Sequence, residues 1–376
     1  MATALVLASA ALLIAAPATE SRAAGDPAQP DEFFVAPNGR NGWSGSEDRP
    51  WRTLTHAFSQ LRRGDTLYMR GGTFIEKVTK ARYCPDHVDG CPATSEKRIK
   101  VKAYPGEHPI LKGVLQIRRA DYWMFSGLDV RWDDRRNKES DHQTVKIMDG
   151  IGWRLHDSVV SGSRSYANVF VGDGRFPGPG KWRITDSCIH HNKGARTHRE
   201  RTDHNLYLAT GRRNTGGVVE NTILFSAPNG QNVKIGIGAE ASKGANNIKL
   251  RYNTMHDATQ NVLVAFASSN VMMSRNLLGK TGSRASGGRS KSWYPNFRGY
   301  DLTGRRVVAR ENSGYLSPHM VRNSFGSNYH GARGIKNGPN NRMRPNPRYN
   351  NTRSCRTGFW PANRRLPFGA WYGRSH

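Results

Sequence analysis

The chain has 376 residues, enough for one large elongated domain or two ordinary ones, and its 36% apolar content can build a buried core, which excludes a disordered chain. Lys and Arg number 57 against 29 Asp and Glu, a formal net charge of +28, so the compatible partners are polyanions: nucleic acid, an anionic membrane or an acidic polysaccharide. The excess grows toward the C terminus, where Asp301 and Glu311 are the only acids after Lys280.

Residues 1–23 read as a secretory signal peptide. An apolar run from Leu5 to Ala16, too short to span a bilayer, leads to Ser21 and Ala23 at the spacing a cleavage site requires, although no Lys or Arg precedes it. No later segment is apolar enough to cross a membrane. A secreted, extracellular protein meets matrix and wall polymers, so an acidic polysaccharide is the expected partner, with no nucleic acid, no membrane and a monomeric state. Residues 24–32 form a short linker.

The stretch "FFVAPNGRNGWSGSEDRPWRTLTHAFSQLRRGDTLYMRGGTF" (33–74) reads as strand, Gly-rich loop, amphipathic helix and strand, with Trp51, Leu54, Ala57, Phe58 and Leu61 on one helix face. Next, Cys84 and Cys91 bracket a turn-rich loop and are expected to close a local disulfide. Asp86, His87 and Asp89 inside it match no standard metal spacing, so no metal ligand is assigned there. Cys188 lies in an apolar strand pattern and is expected to be a small core residue, while Cys355 is left unassigned.

From residue 123 on, short apolar runs ending in polar residues recur every 23 to 36 residues and align on Gly127, Ser158, Ser187, Asn221, Asn253, Asn276 and Asn312. A second strand recurs between them, aligned on Thr144, Asn168, Asn205, Asn232 and Asn261. Asparagine tolerates left-handed backbone at a bend, and its amide can bond to the equivalent amide one coil away. Strand alternation then stacks Val145, Val169, Leu206, Val233 and Val262 inward, with Ile147, Val171, Leu208, Ile235 and Val264 beside them. One period of this size with two short strands and no long helix predicts an all-β parallel β-helix, a solenoid closed at its N terminus by the short helix. Its expected span is 33–314. Residues 315–376, rich in Gly, Asn, Pro and Arg, are expected to be an irregular basic segment packed on the last coils, with Phe359, Trp360 and Trp371 as anchors. Residues 279–301 are expected to form a basic loop overhanging a groove.

The 33–74 stretch and the coil pattern resemble secreted right-handed parallel β-helix proteins of the pectate-lyase-like superfamily. That resemblance implies polysaccharide lyases for the most part, with some hydrolases and epimerases. Polysaccharide lyase families 6 and 9, which the chain resembles in fold, use a groove lysine as base, and this carries over to Lys234. The family 6 pattern adds an arginine on a following coil, where this chain has Leu263.

The outward positions of the second strand column read Lys146, Phe170, Tyr207, Lys234 and Leu263, so Tyr207 and Lys234 should be neighbours and Lys146 should lie two coils from Tyr207. Eliminating across a uronate requires a cation on the carboxylate, a base for the C5 proton and a donor for the leaving oxygen. Lys234 is the expected base, Tyr207 or His204 the proton donor, and Arg251 the carboxylate neutraliser, with the 284–298 loop as a second source of arginine. Lys146, Arg183, Lys249, His256 and Asp203 are expected to bind substrate. Arg154 joins Arg183 and Lys249 on one outward track, His156 and Arg251 lie on the next, and His190 and His256 sit two coils apart beyond it. Clustered carboxylates of the hydrolase type are absent from residues 202–278, where Asp203, Glu220, Glu240 and Asp257 fall on different columns. No cofactor is assigned; calcium is carried as the one candidate cation, for the acidic stretch 129–141. These features predict a polysaccharide lyase acting by β-elimination on a uronic-acid polymer. The alternatives are a non-catalytic carbohydrate-binding or cell-surface β-helix, a β-helix glycoside hydrolase and a C5-epimerase.

Overall fold

The computed structural model describes residues 31–82, 93–173, 178–194, 202–237, 244–282, 294–325, 333–344 and Cys355. The expected signal peptide, the Cys84–Cys91 pair and the three aromatic anchors lie outside these residues. No helix among the described residues is long and apolar enough to cross a membrane.

Each coil contributes strands to two parallel sheets, one of 11 strands and one of 15. The 15-stranded sheet folds along a line of left-handed residues, so that long strands such as Ile223–Ile235 and Thr254–Ala265 turn a corner at Ser226 (φ 59°) and Asp257 (φ 56°). The coil therefore has three faces. The first is the 11-stranded sheet, the second holds segments such as 223–225, and the third holds segments such as 231–235. This is the parallel β-helix that the repeat predicted, of the right-handed kind that the resemblance implied.

The core follows the expected stacks. Val145, Val169, Leu206, Val233 and Val262 are register partners and fully buried, as are their neighbours two residues on, from Ile147 to Val264. Burying each such side chain is worth about 1.5–3 kcal/mol, so the stacks dominate the stability of the coils. Asn168, Asn205, Asn232, Asn261 and Asn296 form a continuous amide ladder with every rung at 2.8 Å. The amide nitrogens of Asn168, Asn205, Asn232 and Asn261 each also donate to a backbone carbonyl, as Asn232 does to His256 at 3.0 Å.

The other column holds at Ser158, Ser187, Asn253, Asn276 and Asn312, but two of its expected members sit one residue early. Gly127 and Asn221 occupy the left-handed corner together with Asp157, Asp186 and Tyr252. The ladder position is the residue after it: Ser158, Ser187, Thr222, Asn253, Asn276 and Asn312. Asparagine suits both a left-handed corner and a ladder, which is why Asn221 matched the wrong position.

The helix Leu54–Gln60 closes the N-terminal end as expected, with Leu54, Ala57 and Phe58 buried. Thr53 caps it by accepting the His56 N–H at 3.2 Å, and Glu76 accepts the Leu54 N–H at 2.7 Å. Phe58 meets Trp123 edge-on, with ring centroids 5.7 Å apart. At the other end the coils run past the expected limit of residue 314. Val321–Ser324, Lys336–Asn337 and Arg342–Met343 pair in register with the preceding coils, and Asn341 accepts from Asn312 at 2.9 Å. Two-residue strands between Gly, Asn and Pro carry too little apolar pattern to be seen in sequence. Cys188 is buried but is not a reduced core thiol, because it is disulfide-bonded to Cys355.

Candidate active site on the third face

Val233 and Ile235 are fully buried, so alternation throws Lys234 outward from the third face. Its register partners are Tyr207 on one coil and Leu263 on the next. The Lys234 Nζ lies 4.6 Å from the Tyr207 ring centroid. Half-buried among these neighbours, the ammonium loses solvation, and its pKa is pushed down from 10.5 to about 8.

Tyr207 is wedged edge-on between Phe170 at 5.2 Å and His204 at 5.4 Å. His204 itself is fully buried, and its Nδ1 accepts the Gln231 N–H at 3.3 Å, which places the ring proton on Nε2. Burial first, and the Lys234 charge second, hold its pKa well below the usual histidine value. A ring that stays neutral has no extra proton to give, so His204 does not fit the role of general acid expected for it; it positions Tyr207. Asp203 is buried beside it and accepts from Asn229 Nδ2 at 2.7 Å, which makes it part of the bend.

The outward track of this face runs Lys146, Phe170, Tyr207, Lys234, Leu263, Arg298 and Arg322, one residue per coil. Lys146 lies two coils from Tyr207, as expected. Its pKa is lowered by burial and then by Arg118, and its Nζ stands 5.8 Å from the Phe170 centroid. Arg298 belongs to the strand Phe297–Tyr300, inside a stretch expected to be loop, and stands two coils from Lys234, about 10 Å along the axis at the usual strand spacing. Ser324 holds its Nε at 2.9 Å. Sequence reasoning missed this rung although "NFRG" (296–299) repeats the ladder asparagine, inward residue and outward cation of "NVKI" (232–235).

Other expected site residues are not brought to this face. Arg251 lies in the first face, one residue from the corner, and its Nη2 pairs with Glu220 at 2.9 Å, so it is not the carboxylate neutraliser for Lys234. Arg183 and Lys249 are on the same face as Arg251, in a neighbouring column. Periodicity alone supplies these columns with no common origin from which to tell one face from another. His256 is on the second face, separated from His190 by Phe225, and burial pushes its pKa down to about 4.

The acidic stretch does not fit calcium. Asp129 pairs with Arg131, Asp134 with Arg164 and Lys193, and Asp141 with Lys77 at 2.7 Å. Asp133 accepts the Arg135 N–H at 3.0 Å. Carboxylates committed to separate cations do not converge on one hard ion.

No family model matches the chain. A curated relative, pectate lyase PEL9 of Emericella nidulans, is 25% identical over 123 residues, which are 26% of this chain and 27% of that protein. The chain thus matches little more than a quarter of that relative's length. Among solved structures, a rhamnogalacturonan lyase aligns with a TM-score of 0.50 at 13% identity, over 81% of this chain and 84% of its own. A glycoside hydrolase aligns with a TM-score of 0.50 at 7% identity, over 83% of this chain and 96% of its own. These likenesses lie in the fold, and the chain has the right-handed parallel β-helix architecture of the pectate-lyase-like proteins it resembles in sequence pattern.

Proposed function

We propose that the protein is a secreted polysaccharide lyase that cleaves a uronic-acid polymer by β-elimination on the third face. The single observation that carries this reading is Lys234, half-buried over the Tyr207 ring with its pKa lowered to about 8 by burial. A base poised near the working pH is what proton abstraction beside a carboxylate needs. The names of the relatives, two lyases and a hydrolase, agree with a carbohydrate-active β-helix.

In the proposed reaction neutral Lys234 takes the C5 proton. The electron pair left on C5 forms the C4=C5 double bond as the C4–O4 bond breaks, and the Tyr207 hydroxyl gives its proton to the departing oxygen. The lysine ammonium then returns a proton to the tyrosinate, restoring both groups. Arg298, two coils away on the same track, would take the carboxylate of another uronate along the polymer and anchor the chain, rather than fill the part first assigned to Arg251. Lys146 is the weaker rival for the base, since its register neighbours, Gln116 and Phe170, offer no acid to protonate a departing oxygen.

Incubation with pectate, alginate, glucuronan and glycosaminoglycans tests the reading. New chain ends carrying the ultraviolet absorbance of an unsaturated uronate support it. New reducing ends without that absorbance point to hydrolysis, and binding without cleavage of any polymer points to a carbohydrate-binding protein; either result rejects the lyase.

A further inference from the structure

The first face carries its own outward track, separate from the one through Lys234. In register along it stand Lys100, Met124, Arg154, Arg183, Val218 and Lys249. The four cations are exposed, whereas Met124 and Val218 are half-exposed. At about 4.8 Å per coil the track extends roughly 24 Å from Lys100 to Lys249. It contains no acidic residue.

Arg154 and Arg183 are direct register partners, and like charges opposite one another in a sheet repel. The face has carboxylates that might have relieved this, but they serve the adjoining column. Asp186 lies 3.2 Å from His156, and Glu220 pairs with Arg251 at 2.9 Å. Arginine keeps its charge throughout the accessible pH range, so the repulsion is not relieved by titration. A bound anion with charges spaced along the axis removes it.

We propose that the first face is a second, non-catalytic binding site for an extended acidic polysaccharide, held by Lys100, Arg154, Arg183 and Lys249. The half-exposed Met124 and Val218 between the cations offer shallow apolar seats for the C–H faces of sugar rings. Single-stranded nucleic acid would call for aromatic platforms, and this track has none. The choice of a uronic-acid polymer rests on the function proposed above; the existence of a polyanion site on this face does not.

The test compares wild type, Arg154→Glu, Arg154→Glu/Arg183→Glu and Lys234→Ala for retention on immobilised polygalacturonate and alginate, at low salt and at about 0.15 M salt. The double variant is expected to lose about tenfold in affinity, equivalent to about 1.4 kcal/mol, and most of its salt dependence. Its melting temperature should equal that of the wild type, because one like-charged pair replaces another, while Arg154→Glu, which leaves an opposite-charge pair, should melt at or above it; both separate lost binding from lost folding. Lys234→Ala should be retained like the wild type, and Arg154→Glu should process a short oligouronide at the wild-type rate. Equal retention of the double variant and the wild type overturns the site, as does a wild type retained on neither polymer. Should retention depend on Arg154 and Arg183 while no polymer is cleaved, the lyase reading falls and this site stands.

Discussion

The first and third faces are built from the same coils and both present cations outward, yet they set those cations in different surroundings. On the third face Lys234 stands between Tyr207 and Leu263 and is half-buried, and its pKa drops to about 8. On the first face Arg154, Arg183 and Lys249 project into solvent. One solenoid can thus carry a reactive basic surface and an adhesive one, because reactivity comes from the desolvating neighbours on adjacent coils and not from charge as such.

Substitutions that break the third face should have the largest effects. Lys234→Ala is expected to lower kcat by about 10²–10⁴-fold without loss of melting temperature, as removal of a general base does. Tyr207→Phe keeps the ring under the lysine but removes the proton donor, with an expected loss of about 10²-fold in kcat measured on the same polymer. Arg298→Gln should lower kcat/KM by about tenfold, since a carboxylate contact two coils away contributes about 1.4 kcal/mol of transition-state binding. At the bottom of the scale for activity, Arg251→Ala on the first face should leave turnover unaltered but cost about 1–3 kcal/mol in denaturant unfolding, because it strips the buried Glu220 carboxylate of its partner. A large loss of turnover in that variant would erase the distinction between the faces.

Much of the fold was legible because its physics repeats. The Asn168–Asn261 ladder and the Val145 and Ile147 stacks recur from coil to coil, so each coil checks the next. Asn221 was aligned one residue early because one residue type satisfies two neighbouring corner positions. The coils beyond residue 314 and the strand holding Arg298 were hidden by short pairing between loop-like residues. For the site, strand alternation placed Lys234 beside Tyr207 correctly, since that needs only register. Assigning Arg251 to it needed the three-face cross-section, which sequence periodicity does not contain. The disulfide between Cys188 and Cys355 spans 167 residues, and no local pattern joins such distant positions.

The central claim is that Lys234 works as a base by giving up its proton near pH 8, and the pH dependence of kcat/KM tests it most directly. Only the neutral amine can accept the C5 proton. The rate of unsaturated-end formation should therefore rise about tenfold per pH unit below the pKa and level off above about pH 8. Lys234→Ala should show no such limb. A profile flat from about pH 6 to 9, or an unchanged profile in Lys234→Ala, would contradict the account.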